Sequence, residues 1–171
     1  MVLVVEDGTG LATAESYVSV VTADAYHTKY GNTAWAGVES VKETALRRAA
    51  LYMRSEYRAR WRGARSKDLQ ALDWPRAEVT DTDGYAIASN VIPLAVKDSQ
   101  CEAALRALTT NASLVVDEDT DAQKVTEESV TVGPIEVSAS YAGTKATSKG
   151  YPIIESLLTG LLKFGVELRR A

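Results

Sequence analysis

The fold is decided by a stretch of 21 residues, SVKETALRRAALYMRSEYRAR, at positions 40–60. Apolar side chains recur in it at spacings of three and four, which predicts a long α-helix with one buried face. Ser40 followed three residues later by Glu43 matches a capping box, so we expect the helix to begin there. Its predicted buried face consists of Val41, Ala45, Ala49, Tyr52, Met53 and Tyr57.

Three further elements follow from similar patterns. The segment PLAVKDSQCEAALRAL, residues 93–108, opens with a proline that suits the first turn of a helix. Its predicted buried stripe is Leu94, Cys101, Ala104, Leu105 and Leu108. The segment YPIIESLLTGLL, residues 151–162, predicts a third apolar helix. Residues 124–141 alternate with a period of two around a Gly-Pro pair, which is typical of a β-hairpin.

These elements predict a mainly α fold, a small helical bundle with a β-hairpin insertion and a C-terminal helix and tail. We expect two domains. Residues 1–150 would form the helical domain, with the acidic loop and hairpin at 111–141. Residues 151–171 would form the C-terminal helix and tail.

Composition excludes several classes of protein. Nineteen Lys and Arg against twenty-three Asp and Glu give a net charge of −4, and the 46% apolar fraction is ordinary for a globular protein. Cys101 is the single cysteine and His27 the single histidine, so an internal disulfide and a multi-histidine metal site are excluded. No run approaches the ~18 apolar residues of a membrane span. The residues form no nucleophile–base pair, so we expect neither an enzyme nor a cofactor.

One acidic segment resembles a calcium loop. Asp117, Asp119, Asp121 and Glu128 occupy its first, third, fifth and twelfth positions. The sixth position needs glycine for a sharp turn, and here it is Ala122. We therefore interpret the segment as a solvated acidic loop.

Arginines interleaved with aromatic residues mark the candidate binding site. The cluster comprises Arg54, Tyr57, Arg58, Arg60, Trp61, Arg62, Arg65, Trp74 and Arg76. Arginines can follow phosphates and aromatic rings can stack on bases, which indicates nucleic-acid binding. Alternatively, the tryptophans cover the core and the arginines pair with acidic residues of this chain or of a second copy. Residues 42–76 hold ten basic and four acidic side chains, whereas residues 111–136 hold one basic and seven acidic side chains.

Segments along nearly the whole chain resemble a family of tailed-bacteriophage proteins. The most specific are EDGTGL at 6–11 and QALDWPR at 70–76. They are accompanied by TADAYHTKYGNTAW, DGYAI, IPLAVKDSQCEAALRAL, VGPIEV and YPIIESLLTGLL in the same order. Members often carry the label DnaT-like single-stranded-DNA-binding protein, and they resemble head–tail connector adaptors.

The resemblance implies a structural role in the virion neck. A helical bundle of connector-adaptor type would form a ring, typically of twelve copies, between the portal and the stopper or tail-completion protein. Genomic double-stranded DNA would pass through its channel, and the subunits would be made in the host cytoplasm. The portal-binding residues would be Leu161, Leu162, Phe164, Val166, Leu168, Arg169 and Arg170. The alternative is a single-stranded-DNA-binding protein of phage replication.

Overall fold

The computed structural model describes residues 2–115 and 151–163, together with the backbone of two strands at 128–132 and 135–139. The chain divides into two compact units. One comprises residues 1–115 and 151–171, and the other residues 116–150. The C-terminal helix thus belongs to the same unit as residues 1–115. Within the described residues, no helix is long and apolar enough to cross a membrane.

Helices α2 (Glu39–Tyr57) and α3 (Leu94–Thr110) form the centre of the larger unit. Fully buried alanines on both helices, among them Ala49, Ala103 and Ala104, have side chains small enough for the two helices to approach closely. The predicted buried face of α2 is confirmed from Ala45 to Tyr57. Val41 and Leu94 are exposed instead, and each lies in the first turn of its helix.

Two shorter helices pack around this pair. Helix α1 (Val20–Lys29) contacts both α2 and α3 and begins at Ser19, whose side-chain oxygen accepts from the backbone N–H of Thr22. Helix α4 (Pro152–Leu158), continued by a 3-10 turn over Thr159–Leu161, packs on α3. The fully buried side chains Ile154 and Leu158 make α4 part of the core.

A buried glutamine ties the N-terminal segment to both central helices. Gln100 of α3 accepts a hydrogen bond from the backbone N–H of Tyr17 through its Oε1, at 2.8 Å. Its Nε2 donates to Ser16 Oγ at 2.9 Å and to the carbonyl of Leu46 on α2 at 3.0 Å. A buried amide with all these partners fixes the register of three segments at once.

The segment between α2 and α3 contains two short antiparallel strand pairs. Strand β1 (Ala64–Arg65) pairs with β2 (Arg76–Ala77), and β3 (Val79–Thr80) pairs with β4 (Ala86–Ile87). In the second unit, β5 (Glu128–Val132) and β6 (Ile135–Ala139) form the predicted hairpin, with Val132 opposite Ile135.

The prediction of a small helical bundle is therefore wrong. Four α-helices and three two-stranded antiparallel pairs make up the described residues, which is a small mixed α and β fold. Two-residue strands are too short to show a period of two in the sequence, so the bundle prediction had no signal for β1 to β4.

Candidate nucleic-acid interface

The segment QALDWPR forms a loop that closes on itself between β1 and β2. The Gln70 side chain is buried and its Nε2 donates to the carbonyls of Leu72 at 2.8 Å and Pro75 at 3.1 Å. Its Oε1 accepts from the backbone N–H of Lys67 at 2.9 Å. The Trp74–Pro75 peptide bond is cis. The buried Gln70 side chain therefore stabilises the loop by hydrogen bonds to its backbone.

Arg76 uses its guanidinium within the protein. The side chain donates to three backbone carbonyls: Nε to Arg62 at 2.7 Å, Nη1 to Asp73 at 3.1 Å and Nη2 to Gly63 at 2.7 Å. The residue is 7% exposed. Gly63 has a φ of +63°, and an added Cβ would lie 2.1 Å from the Ala77 carbonyl oxygen. Arg76 and Gly63 together fix the β1–β2 pair, and the guanidinium does not face solvent.

Neither tryptophan of the predicted cluster presents a face to a base. Trp61 is 1% exposed and Trp74 is fully buried. Their rings meet edge to face with centroids 5.8 Å apart, an arrangement typical of packed aromatic pairs. The interpretation that they cover the core is therefore confirmed.

The other characteristic segment, EDGTGL, is also structural. Glu6 is buried, and its carboxylate accepts from the backbone N–H groups of Gly8 at 3.0 Å, Gly10 at 2.8 Å and Leu11 at 2.8 Å. An added Cβ at Gly8, whose φ is +101°, would lie 2.1 Å from the carbonyl oxygen of Asn90. The carboxylate thus builds a tight turn against the loop that precedes α3.

The remaining arginines of the cluster divide between internal contacts and solvent. Arg60 pairs with Glu155 at 2.8 Å and lies 5.4 Å above the Tyr57 ring. Arg65 donates to the carbonyl of Gln70 at 3.0 Å, and Arg62 is half-buried. Arg58 is 44% exposed at its side chain and lies 3.8 Å from Asp73. The predicted cluster therefore combines buried side chains with partly exposed arginines.

A different arrangement of arginines lines the outer face of α2. We name it the arginine groove and define it by Arg47, Leu51, Arg54, Ser55 and Arg58, whose spacing places them on one side of the helix. They line two depressions of about 220 Å³ and about 760 Å³, which share Leu51 and Arg54. The twelve residues from Arg47 to Arg58 extend over about 16.5 Å along the helix axis.

The charge of the arginine groove is predominantly positive. Arg47 is bridged to Glu15 at 3.1 Å and to Glu43 at 3.3 Å, and the hydrogen bond that it donates to Glu15 raises the pKa of its guanidinium. Arg54 and Arg58 are exposed. The nearest acid to Arg58 is Asp73, which is buried, and its burial raises the pKa of that carboxyl. The groove thus offers guanidinium groups suited to phosphate oxygens. Sequence reasoning did not include Leu51 or Ser55, which become recognisable once the buried face of α2 is known.

The predicted portal-binding residues fall in two places. Leu161 and Leu162 are buried in the core of the larger unit, and Leu162 forms an antiparallel bridge with Trp61. Phe164, Val166, Leu168, Arg169 and Arg170 lie outside the described residues. The calcium-loop pattern also lies outside them, except for the strand backbone at Glu128.

The single histidine and the single cysteine are both buried. His27 packs on Trp35 with ring centroids 4.5 Å apart, and its Nδ1 lies 3.1 Å from the Asn32 amide. Burial lowers the pKa of His27. Burial raises the pKa of the Cys101 thiol to about 12, which makes it a packing residue. The described residues contain no group of three potential metal ligands.

The larger unit thus has a cationic groove on one helix, and its EDGTGL and QALDWPR segments form loops held by internal hydrogen bonds. The chain belongs to the family described as "putative DnaT-like ssDNA binding protein", whose model matches residues 1–171. No curated protein and no solved structure matches the chain. The family match agrees with the DnaT-like label in the sequence analysis and does not support the head–tail connector part of that resemblance.

Proposed function

We propose that this protein binds single-stranded DNA through the arginine groove. The observation that carries the proposal is the pair of exposed guanidinium groups, Arg54 and Arg58, beside each other along an open depression of α2. The family description names single-stranded DNA as the ligand of the family. Guanidinium groups on a helix face can contact successive phosphates of one strand.

The chemistry of the groove favours contact with the DNA backbone over contact with bases. The groove is lined by arginines, a serine, aliphatic side chains and one glutamate, Glu15, which is bridged to Arg47, whereas base stacking requires an accessible aromatic face. Binding should therefore depend steeply on salt and little on sequence. The net charge of −4 provides no general attraction for DNA, so affinity rests on local contacts.

The test is fluorescence anisotropy of a labelled oligothymidylate titrated with the protein at several salt concentrations. The variant Arg54→Gln/Arg58→Gln should bind about tenfold or more weakly at low salt, and the slope of log K against log salt should fall by about 1.4, at about 0.7 per lost phosphate contact. The matched control, Lys29→Gln/Lys97→Gln, removes the same charge from α1 and α3. Equal losses for both variants, or no binding by the wild type, would contradict the proposal.

A second candidate is the head–tail adaptor ring, in contact with the portal and the stopper. One observation favours a protein-docking role: Val91, Leu94 and Ile153 are exposed aliphatic residues. Val91 also lines a groove of about 700 Å³ that extends along β4 and the end of α4. Exposed apolar surfaces are typical of contacts between proteins. Mass spectrometry of purified particles tests this candidate, and absence of the chain from them would exclude it.

A further inference from the structure

A buried carboxylate lies directly beneath the exposed end of the arginine groove. Asp73 is 2% exposed, and its Oδ1 has no hydrogen-bond partner within the described residues, although the Trp61 indole N–H lies close enough to the carboxylate to favour its charged form. The nearest cation is Arg58, whose Nη1 is 3.8 Å from that oxygen, beyond hydrogen-bond distance. A buried carboxylate oxygen without a hydrogen bond is costly, and attraction to a nearby guanidinium offsets part of that cost.

Three other groups, Arg54, Arg76 and the Trp61 indole, also favour the charged form of Asp73. Arg76 and Arg54 lie close enough to stabilise its negative charge, but the guanidinium of Arg76 is committed to three carbonyls. The Tyr17 hydroxyl accepts from the backbone N–H groups of Asp73 and Trp74. Arg58 is therefore the mobile partner of the carboxylate, because its side chain reaches both Asp73 and solvent.

From this geometry we infer that Asp73 is an internal competitor for Arg58, which restrains phosphate binding in the arginine groove until the carboxylate is neutralised. The inference rests on the proposed function and adds a regulatory group to the same site. When a phosphate binds Arg58, the guanidinium has to move away from Asp73. The buried negative charge of Asp73 is then less well stabilised, which opposes binding. Protonated Asp73 carries no charge that Arg58 has to stabilise, so Arg58 can then bind the phosphate without this energetic cost.

The pH dependence of binding follows with a definite sign. Burial raises the pKa of Asp73 above its ordinary value of 3.8, while Arg58 opposes that shift. As pH falls toward the raised pKa, Asp73 takes up a proton and releases Arg58. Affinity for a phosphate backbone should therefore increase with acidification, and binding at a fixed pH near that pKa should be accompanied by proton uptake.

The experiment is a double-mutant cycle with the full chain and labelled oligothymidylate. Asp73→Asn keeps the shape of the side chain and removes its charge, and it should tighten binding about three- to tenfold. It should also steepen the salt slope by about 0.7, the value for one added phosphate contact on a single strand. In an Arg58→Gln background the same substitution should have a clearly smaller effect, because only the interaction with Arg54 remains to be released. Circular dichroism checks that each variant is folded.

A pH titration keeps the inference testable if Asp73→Asn fails to fold. As the pH is lowered from neutral toward the raised pKa of Asp73, wild-type affinity should rise more than the affinity of Arg58→Gln, which shares every other carboxylate. Equal tightening by Asp73→Asn in both backgrounds, or parallel pH profiles for wild type and Arg58→Gln, would overturn the inference while leaving the proposed function intact. Absence of binding in every variant would instead overturn both.

Discussion

Replacing Arg76 by alanine distinguishes an arginine that holds the fold from one that contacts DNA. The substitution leaves three backbone carbonyls, those of Arg62, Gly63 and Asp73, without their donor. Each buried acceptor left unpaired costs about 1–3 kcal/mol, and partial access of water lowers the sum. We expect the free energy of unfolding to fall by about 3–5 kcal/mol, a large share of the ~5–15 kcal/mol typical of a domain.

Urea denaturation followed by circular dichroism measures this change, with the midpoint and the m-value fitted together. Arg76→Lys keeps the charge but cannot reproduce a fork of three donors, so it should lose about 1–3 kcal/mol. Arg54 is an exposed residue of α2, so the control Arg54→Ala should change the free energy of unfolding by no more than about 0.5 kcal/mol. A loss below about 1 kcal/mol for Arg76→Ala would refute the assignment of this side chain to the fold.

Two further outcomes follow from the packing. Burial lowers the pKa of His27 below 6.5, so as the pH falls the unfolded chain takes up a proton at this residue before the folded protein does. The free energy of unfolding should therefore decrease by at most about 1.4 kcal/mol per pH unit below pH 6.5. His27→Asn, studied by urea denaturation across the same pH range, should lack this component, and identical profiles for the two proteins would contradict the prediction. Leu158 is fully buried, so Leu158→Ala should lower the thermal midpoint and reduce the free energy of unfolding by about 2–5 kcal/mol. Ile153→Ala, on the exposed side of α4, should change the free energy of unfolding very little. Equal effects of the two substitutions would mean that α4 is not part of the core.

The parts of the fold that sequence reasoning predicted are those with a repeating pattern. The buried face of α2 was recognisable because Ala45, Ala49, Tyr52 and Met53 recur at helical spacing. The hairpin at 128–139 was recognisable because its residues alternate. Residues at helix starts, such as Leu94, were assigned wrongly because periodicity does not reveal where the covering element ends.

The candidate site was harder to predict because binding and packing use the same residue types. Tryptophans beside arginines are typical of a nucleic-acid surface and equally of a core cluster with hydrogen-bonded loops. What marks Arg76 as a structural arginine is its hydrogen bonds to backbone carbonyls. These carbonyls belong to residues up to 14 positions away, and they come close to Arg76 because β1 pairs with β2. The approach of Arg58 to Asp73 is likewise a tertiary contact across 15 positions of sequence. No local pattern encodes it.

The central claim is that DNA lies on the exposed arginines of α2 and leaves the buried arginine–tryptophan cluster untouched. NMR spectra of the arginine Nε–Hε and tryptophan indole groups, recorded during titration with oligothymidylate, test it residue by residue. The account predicts shifts for Arg54 and Arg58 and unchanged signals for Arg76, Trp61 and Trp74. Shifts confined to Arg76 and the two indoles, with Arg54 and Arg58 unchanged, would contradict it.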